Sequence, residues 1–324
     1  MPLRIVFCGT PAFAVPSLRH LIAQSDFEIA GVVTQPDRPR GRGQETAISA
    51  VKDAAIEAGL PVYQPTKIKS PESLDYFRNL APDAVVIIAY GQLISQRLID
   101  IPRLGWINLH ASLLPKYRGA APINWAIVNG ETHTGLTTMR IDAGLDTGPT
   151  LLKFETDIAP DETAPNLAAR LAEAGAPFVA DTLRKLDRGE IVPTPQDNPQ
   201  ATFAPPLEKE HGRIDWSLAA NRIYNRIRGL QPWPGAFTKF RGKIAHIWGR
   251  PAVARDSHPG VPLASPTELS PAGAIFSLDS DIFVVCGHGT LLRLDSVQLE
   301  GRKRIAAREF ANGARLTPVD RFAS

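Results

Sequence analysis

Hydrophobic positions in the first two hundred residues alternate between short apolar runs and amphipathic segments. Runs such as RIVFCG (4–9) and DAVVIIAYG (83–91) predict strands, and the near-continuous second run is typical of a strand buried on both faces of a parallel sheet. Between them, AISAVKDAAIEAGL and SPESLDYFRNLAP have helical spacing, and the latter begins with Ser70 followed by Pro71. This alternation predicts an α/β fold: a Rossmann-like, mostly parallel sheet with helices on both faces.

The pattern changes in the last third of the chain, where five short apolar runs are separated by Gly, Asp and Ser turns. These runs are AFTKFRG, KIAHIWG, GAIFSL, DIFVVCG and GTLLRLDSVQ. Short strands at this spacing predict a small antiparallel β-barrel. The proline-rich stretch 190–206 predicts a linker, which gives domains at 1–189 and 207–324.

Composition and charge place the chain among globular proteins with a basic end. Its 324 residues suit two domains, and we expect a cytoplasmic protein because neither a membrane-length apolar run nor a basic leader is seen. Residues 208–324 hold 17 Lys and Arg against 11 Asp and Glu, a net charge of +6, which leaves −3 for the rest. A basic C-terminal third suggests a polyanionic partner, although a merely soluble basic domain has the same charge.

Two kinds of cofactor site are not expected from the motifs. Cys8 and Cys286 are far apart, lack the spacing of metal ligands and lie in apolar runs, so we expect neither a disulfide nor a metal site. The loop CGTPAFAVP after the first run lacks GxGxxG and carries Pro11 and Pro16, so we expect no dinucleotide.

Candidate chemistry lies in WINLH (106–110) and in IDAGLDTGP (141–149). In a strand, Asn108 and His110 share one face, where an amide can donate to an oxyanion and an imidazole can move a proton. A glycine-bearing turn could bring Asp146 to the imidazole. The three side chains together fit acyl-type transfer through a tetrahedral intermediate. A structural histidine at a strand end and an aspartate that caps a turn remain the alternatives.

The segments NLHASLLPKYRGAAPINW and DAGLDTGP closely resemble the formyltransferases that use 10-formyltetrahydrofolate. Counterparts of RIVFCGTPAFAVPSL, TQPDRPRGRG, AYGQLI, RIDWSL and QPWPG extend the similarity nearly from end to end, and they resemble most the members that act on initiator methionyl-tRNA. The resemblance implies that the C-terminal barrel is an OB-like, tRNA-binding domain. It also implies formyl transfer to the free amino group of methionine on that tRNA.

The resemblance assigns roles to individual positions. Asn108, His110 and Asp146 would be catalytic. The segment Ser112, Leu113, Leu114 and Pro115, together with Ala89, Tyr90 and Gly91, would bind 10-formyltetrahydrofolate, a co-substrate rather than a tightly bound cofactor. Arg42 would contact the tRNA acceptor end, although QETAIS, which follows its loop, departs from the more basic family pattern. On the C-terminal domain the tRNA contacts would be Arg302, Lys303 and Arg304, and we expect a monomer.

Two other functions remain open at this stage. A folate-dependent formyltransferase that acts on a small amine, such as a sugar nucleotide or glycinamide ribonucleotide, would use the same three residues, but it would not require a basic barrel. A non-catalytic RNA-binding protein with a vestigial Rossmann-like domain would have no physical need for three convergent polar groups. Assays with different formyl acceptors distinguish the small-amine enzyme from one that acts on methionyl-tRNA. Binding of a reduced folate would exclude the non-catalytic RNA-binding protein.

Overall fold

Strand β1 (Leu3–Gly9) begins the chain and lies inside the larger of its sheets. The computed structural model describes residues 1–40, 45–252 and 271–323. Contacts divide the chain into two units. The first comprises Met1–Pro122, His133–Asp157 and Asn166–Pro205, and the second comprises Ile123–Thr132, Ile158–Pro165 and Pro206–Ser324.

The strands through residue 204 continue with β2 (Phe27–Val33), β3 (Arg38–Arg40), β4 (Glu45–Ala47), β5 (Val62–Tyr63), β6 (Ala84–Ile88), β7 (Trp106–His110), β8 (Arg118–Gly119), β9 (His133–Arg140), β10 (Thr150–Asp157) and β11 (Phe203–Ala204). The helices of this stretch are α1 (Val15–Ile22), α2 (Ala50–Glu57), α3 (Pro71–Leu80), α4 (Gln96–Ile99), α5 (Pro122–Val128) and α6 (Ala164–Asp187).

The sheet of the first unit has the order β10-β9-β7-β6-β1-β2-β5. Strands β7, β6, β1, β2 and β5 pair in parallel, whereas β9 and β10 pair antiparallel. Every residue of β6 is buried, as its continuous apolar run predicts. The mostly parallel sheet is therefore confirmed, and its parallel strands end at one common edge.

Helices cover both faces of this sheet. On one face the ring of Trp106 packs 5.1 Å from that of Phe77 in α3, and its Nε1 donates to the carbonyl of Leu98 in α4 at 2.7 Å. On the other face Gly175 in α6 lies so close to β7 that a Cβ there would meet Leu109 Cδ2 at 2.6 Å. Trp106 and Leu109 point to opposite faces because their positions differ by an odd number.

The proline-rich stretch 190–206, which was predicted to be a linker, is hydrogen-bonded to the first unit. Thr194 exchanges backbone hydrogen bonds with Thr150 at 2.9 Å, and β11 pairs in parallel with β8. The stretch belongs to the first unit as far as Pro205. Prolines lower the number of backbone donors, but Thr194 and Thr202 still donate to backbone carbonyls of Thr150 and Pro115.

The second unit continues the numbering with α7 (Ala220–Gly229), β12 (Phe237–Phe240), β13 (Lys243–Pro251), β14 (Ile275–Leu278), β15 (Asp281–Val285), β16 (Leu291–Leu299), β17 (Ile305–Ala306), α8 (Ala307–Ala314) and β18 (Phe322–Ala323). Its antiparallel sheet has the order β14-β15-β16-β13-β12-β18, and β17 pairs with β16. The five strands predicted from the turn spacing are β12 to β16.

The two edges of this antiparallel sheet are joined to each other. Phe322 donates its backbone N–H to the carbonyl of Gly273 at 2.8 Å, and Ile275 donates to the carbonyl of Asp320 at 3.2 Å. Inside, the ring of Phe322 stacks on that of Trp216 at 5.5 Å. Edge pairing of this kind removes open strand edges, and it fits the predicted OB-like barrel.

The closing segment is held by Asp320, a buried carboxylate. It accepts hydrogen bonds from Arg241 Nε at 2.8 Å and Nη2 at 2.7 Å, and from the backbone N–H and hydroxyl of Thr317 at 2.8 and 2.9 Å. The Arg241 hydrogen bond, followed by those of Thr317, holds the pKa of Asp320 well below its usual range.

We expect Asp320→Asn to lower the midpoint of thermal unfolding at pH 7. A depressed folded-state pKa stabilises the fold above the pKa of the unfolded carboxyl, about 4, and this contribution is lost as the pH falls below that value. The difference between wild type and variant should therefore shrink from pH 7 to pH 3 in calorimetry. Asp295→Asn, which removes an exposed carboxylate 3.4 Å from Arg250, is the control. An Asp320→Asn effect that does not change with pH would contradict this role.

Candidate active site

Strand β7 presents two polar side chains on the same face, near the common edge of the parallel strands. Asn108, which is half-buried, pairs with Ile87 of β6 on one side and with Met139 of β9 on the other. His110 is the last residue of the strand and is only 5% exposed. A polar group so deeply buried requires specific partners, and the loops that follow β7 and β9 provide them.

Asp146 reaches these residues from the turn between β9 and β10. Its carboxylate Oδ1 lies 3.5 Å from Asn108 Nδ2, and its Oδ2 lies 3.7 Å from His110 Nδ1. The backbone of Asp146 is left-handed, with φ of 51°. Nearby, a Cβ on Gly148 would come within 1.9 Å of the carbonyl oxygen of Arg140, so only glycine fits there. The three predicted side chains therefore converge.

The histidine ring is oriented by a backbone carbonyl. His110 Nε2 lies 2.8 Å from the carbonyl oxygen of Tyr117, which can only accept a hydrogen bond. This contact requires the proton of a neutral ring to reside on Nε2. Nδ1 therefore faces Asp146 as an acceptor, and a proton taken up there would lie beside the carboxylate.

The Asp146 carboxylate and its turn are held by residues to which the sequence analysis assigns no role. The backbone N–H of Gly119 donates to Asp146 Oδ2 at 2.9 Å. The amide of Gln196 donates to the carbonyls of Asp146 and Gly148 at 2.7 and 2.8 Å, and its Oε1 accepts from Arg118 Nη2 at 2.8 Å. Arg118 is itself buried, at 5% exposed. Arg118 thus orients the Gln196 amide, and Gln196 holds the turn in which Asp146 has its left-handed backbone conformation.

The segment after β7 is fastened to β9 by Thr137. The hydroxyl of this buried threonine donates to the carbonyl of Ser112 at 2.7 Å and accepts from the N–H of Leu114 at 3.1 Å. The side chains of Ser112 and Leu114 are fully buried, whereas Leu113 and Pro115 are half-buried. Of these four residues, only Leu113 and Pro115 have side chains that are accessible to a ligand.

The segment after β6 also contains both exposed and buried residues. Ala89 and Gly91 are exposed, but the Tyr90 side chain is buried at 2% exposed, and burial raises the pKa of its phenol. The carbonyl of Tyr90 accepts from Thr10 Oγ1 and Gln35 Nε2 at 3.2 and 3.1 Å. Tyr90 can therefore offer a ligand its backbone, but not its ring.

A cleft of about 570 Å³ lies at the same sheet edge, where β1, β2 and β6 end. Thr10, Gln35, Tyr90, Gly91 and Gln92 contribute to its walls. Two of these, Thr10 and Gln35, were not predicted, because an isolated polar residue in a loop carries no sequence signal, whereas Gln92 belongs to the predicted segment AYGQLI. Gln196 was missed for another reason, because it lies in the stretch that its proline content marked as a linker.

The predicted tRNA contacts fall into two groups. Arg42 lies outside the described residues. Arg302 and Lys303 are exposed and form no ion pair with any residue that the structure describes. Arg304 lies with its guanidinium 4.0 Å from the ring centroid of Trp248, and its Nε donates to Ser296 Oγ at 2.6 Å.

The part of the chain that the structure describes holds neither a membrane-spanning helix nor a metal-binding cluster. Within 1–40, 45–252 and 271–323, no helix is both long enough and apolar enough to span a bilayer. In the same ranges, no group of three or more His, Cys, Asp or Glu side chains is arranged to hold a metal ion. Cys8 and Cys286 are both buried and unbridged.

Comparison with known families gives a match in each half of the chain. The formyl transferase family matches residues 3–183, and the C-terminal domain of formyl transferases matches residues 206–315. The matched ranges contain Asn108, His110 and Asp146 in the first case and Arg302, Lys303 and Arg304 in the second.

Curated relatives match over nearly the whole length. The methionyl-tRNA formyltransferase of Solibacter usitatus (strain Ellin6076) is 55% identical over 321 residues, which cover 99% of this chain and 98% of the relative. The methionyl-tRNA formyltransferase of Koribacter versatilis (strain Ellin345) is 51% identical over 319 residues, which cover 98% of each.

Among solved structures, a sugar 3N-formyl transferase, WlaRD, crystallised in the presence of dTDP and 5-N-formyl-THF, aligns with a TM-score of 0.63. The alignment covers 94% of this chain and all of that one at 18% identity. At such low identity the similarity shows a shared fold only.

We expect Gln196→Ala to loosen the Asp146 turn. It removes two hydrogen bonds to carbonyls and leaves the buried Arg118 without one acceptor, so amide exchange at Gly119 should accelerate on the order of 10-fold. Hydrogen exchange measured by mass spectrometry on peptides that cover Gly119 would detect this change. Gln200→Ala, in the same segment but bonded to exposed Asp197 at 2.7 Å, is the matched control. Unchanged exchange at Gly119 in Gln196→Ala would rule out this support.

Proposed function

The chain belongs to the formyl transferase family, and from this premise we propose that it transfers the formyl group of 10-formyltetrahydrofolate to the α-amine of methionine on initiator methionyl-tRNA. Its product would be N-formylmethionyl-tRNA for translation initiation. The observation that carries the proposal is identity of 55% with a methionyl-tRNA formyltransferase across both units. The convergence of Asn108, His110 and Asp146 supports the same chemistry. We further propose that the enzyme acts in the cytoplasm as a monomer.

The reaction exchanges one carbon–nitrogen bond for another. The amine nitrogen bonds to the formyl carbon, the bond from that carbon to folate N10 breaks, and one proton moves from the amine to N10. Negative charge develops on the formyl oxygen in the tetrahedral intermediate. Asn108 would donate its side-chain amide to that oxygen, since an oriented neutral donor stabilises an oxyanion without reorganising.

His110 would move the proton. With Nε2–H donated to the Tyr117 carbonyl, the lone pair of Nδ1 is the acceptor that faces the site, so this nitrogen would take the proton from the attacking amine and return it to N10. Asp146 would stabilise the imidazolium formed in between. Its carboxylate lies 3.7 Å from Nδ1 and accepts a hydrogen bond from the Gly119 N–H, so it would place a negative charge beside the ring.

For the co-substrate we propose the accessible groups of the two predicted segments. Leu113 and Pro115, with Ala89 and Gly91, would form apolar walls for the flat folate ring, and the backbone of Tyr90 would lie beside them. Folate would bind and leave in each cycle, so no tightly bound cofactor is needed.

The small-amine alternative is tested by the choice of acceptor. A second unit does not exclude it, because the sugar formyl transferase aligns with 94% of this chain. The decisive experiment supplies 10-formyltetrahydrofolate and compares formylation of methionyl-tRNA, an amino-sugar nucleotide and glycinamide ribonucleotide. The proposal expects methionyl-tRNA to have the highest kcat/KM. A higher kcat/KM for either small amine would overturn it, and lack of folate binding in calorimetry would favour a non-catalytic RNA-binding protein.

Replacing His110 or Asn108 by alanine should lower turnover of methionyl-tRNA on the order of 100-fold, because a general base or an oxyanion donor is commonly worth that factor. Asp146→Asn should act in the same direction by leaving the imidazolium without its counter-charge. The control is His133→Ala, which removes an exposed histidine from β9. A folded His110→Ala protein with near-normal turnover would contradict the mechanism.

The basic residues should affect tRNA binding differently. Replacing Arg302, Lys303 and Arg304 together by serine should weaken tRNA binding and reduce its salt dependence, because fewer counterions are released, while folate binding stays unchanged. Arg42→Ala should reduce turnover more than affinity, because one contact contributes little to holding tRNA but can position its methionyl end. Titrations at several salt concentrations, with single-turnover rates, measure both effects. Normal tRNA binding with weaker folate binding in both variants would contradict this division.

A further inference from the structure

A pocket of about 420 Å³ lies on the second unit. Its walls include Lys209, Trp233, Phe237, His246, Leu299 and Glu300. All of these belong to the second unit, so the pocket is complete within it. Its apolar walls are formed by Trp233, Pro234, Phe237, Ile244 and Leu299, and its polar side chains are those of Lys209, His246, Gln298 and Glu300.

Two rings of this pocket lie opposite each other on paired strands. The register of β12 and β13 pairs Phe237 with His246, and their ring centroids are 5.9 Å apart. Trp233 is 54% exposed, which is unusual for so large an apolar side chain. Burial lowers the pKa of His246, and the charge of Lys209 lowers it further. The imidazole is therefore neutral near pH 7.

The pocket borders the basic turn between β16 and β17. Glu300 and Gly301 belong to its wall, and Arg302 and Lys303 follow directly in the chain. On the adjacent part of β13, Trp248 is already covered by the Arg304 guanidinium at 4.0 Å. Exposed rings with neighbouring cations are the combination that binds unstacked nucleotides, since the rings stack on the base and the cations attract the phosphate.

We propose that this pocket receives one unpaired nucleobase of the tRNA, stacked on Trp233, with the adjoining phosphate toward Arg302 and Lys303. The inference rests on the proposed tRNA substrate. An apolar peptide side chain would also find aromatic walls, but it would gain nothing from the basic turn. A base with its phosphate uses both features, and the net charge of +6 over residues 208–324 attracts it.

The test compares two kinds of variant in tRNA binding across a salt series. Trp233→Ala should weaken binding of initiator tRNA on the order of 10-fold, with an unchanged slope of log K against log salt, because stacking is lost but no phosphate contact. Trp233→Phe should restore most of the affinity. Neutralising Arg302 and Lys303 should instead reduce the slope. Val319→Ala, which shortens an exposed side chain on the same unit, is the control.

The outcomes separate this inference from the proposed function. Wild-type affinity in Trp233→Ala, or a loss that Trp233→Phe does not recover, would overturn the nucleobase pocket while leaving formyl transfer intact. A wild-type protein that binds tRNA through Trp233 but formylates only small amines would overturn the proposed function and keep the pocket. A wild-type protein that does not bind tRNA would overturn both.

Discussion

The candidate active site depends on how one carboxylate is held. Asp146 has left-handed backbone geometry, and its side chain lies between Asn108 and His110. Such a residue is strained and persists only where its surroundings over-determine it. Two neighbours supply that support. The Gly119 N–H fixes the carboxylate, and the Gln196 amide fixes the carbonyls of the turn. Without them the carboxylate would not be held beside Asn108 and His110.

The fold supplies these parts from two kinds of strand pairing. Parallel strands β6 and β7 end at one edge, which is where open α/β sheets bind ligands. Strand β9 runs antiparallel to β7 and ends beside its first residues, and the loop 141–149 then carries the Asp146 carboxylate back to Asn108 and His110. The helices on both faces keep β7 rigid, and a rigid strand holds catalytic groups more accurately than a loop does. Substrate recognition would be shared between this edge and the basic second unit.

The features that could be predicted from the sequence are those that follow from local residue patterns. The alternation in WINLH predicted that Asn108 and His110 share a face, and the glycines around Asp146 predicted its turn. Gln196 was not predicted, because a long-range contact of one amide leaves no periodic pattern, and the surrounding prolines indicated a linker. Tyr90 and Leu114 were also assigned to the folate site, although their side chains belong to the core. Residue types alone left the proton acceptor undecided, since the tautomer of His110 depends on the carbonyl of Tyr117.

The tautomer of His110 decides which ring nitrogen can accept the proton of the amine, and nuclear magnetic resonance can observe it directly. Long-range proton–nitrogen correlation spectra of protein labelled with ¹⁵N-histidine, with His110→Gln used to assign the signal, report which ring nitrogen carries the proton. The account predicts that neutral His110 is protonated at Nε2, with Nδ1 free to accept, because Nε2 lies 2.8 Å from the Tyr117 carbonyl. A neutral ring protonated at Nδ1 would contradict the account, because the nitrogen that faces Asp146 could not then take the proton of the amine.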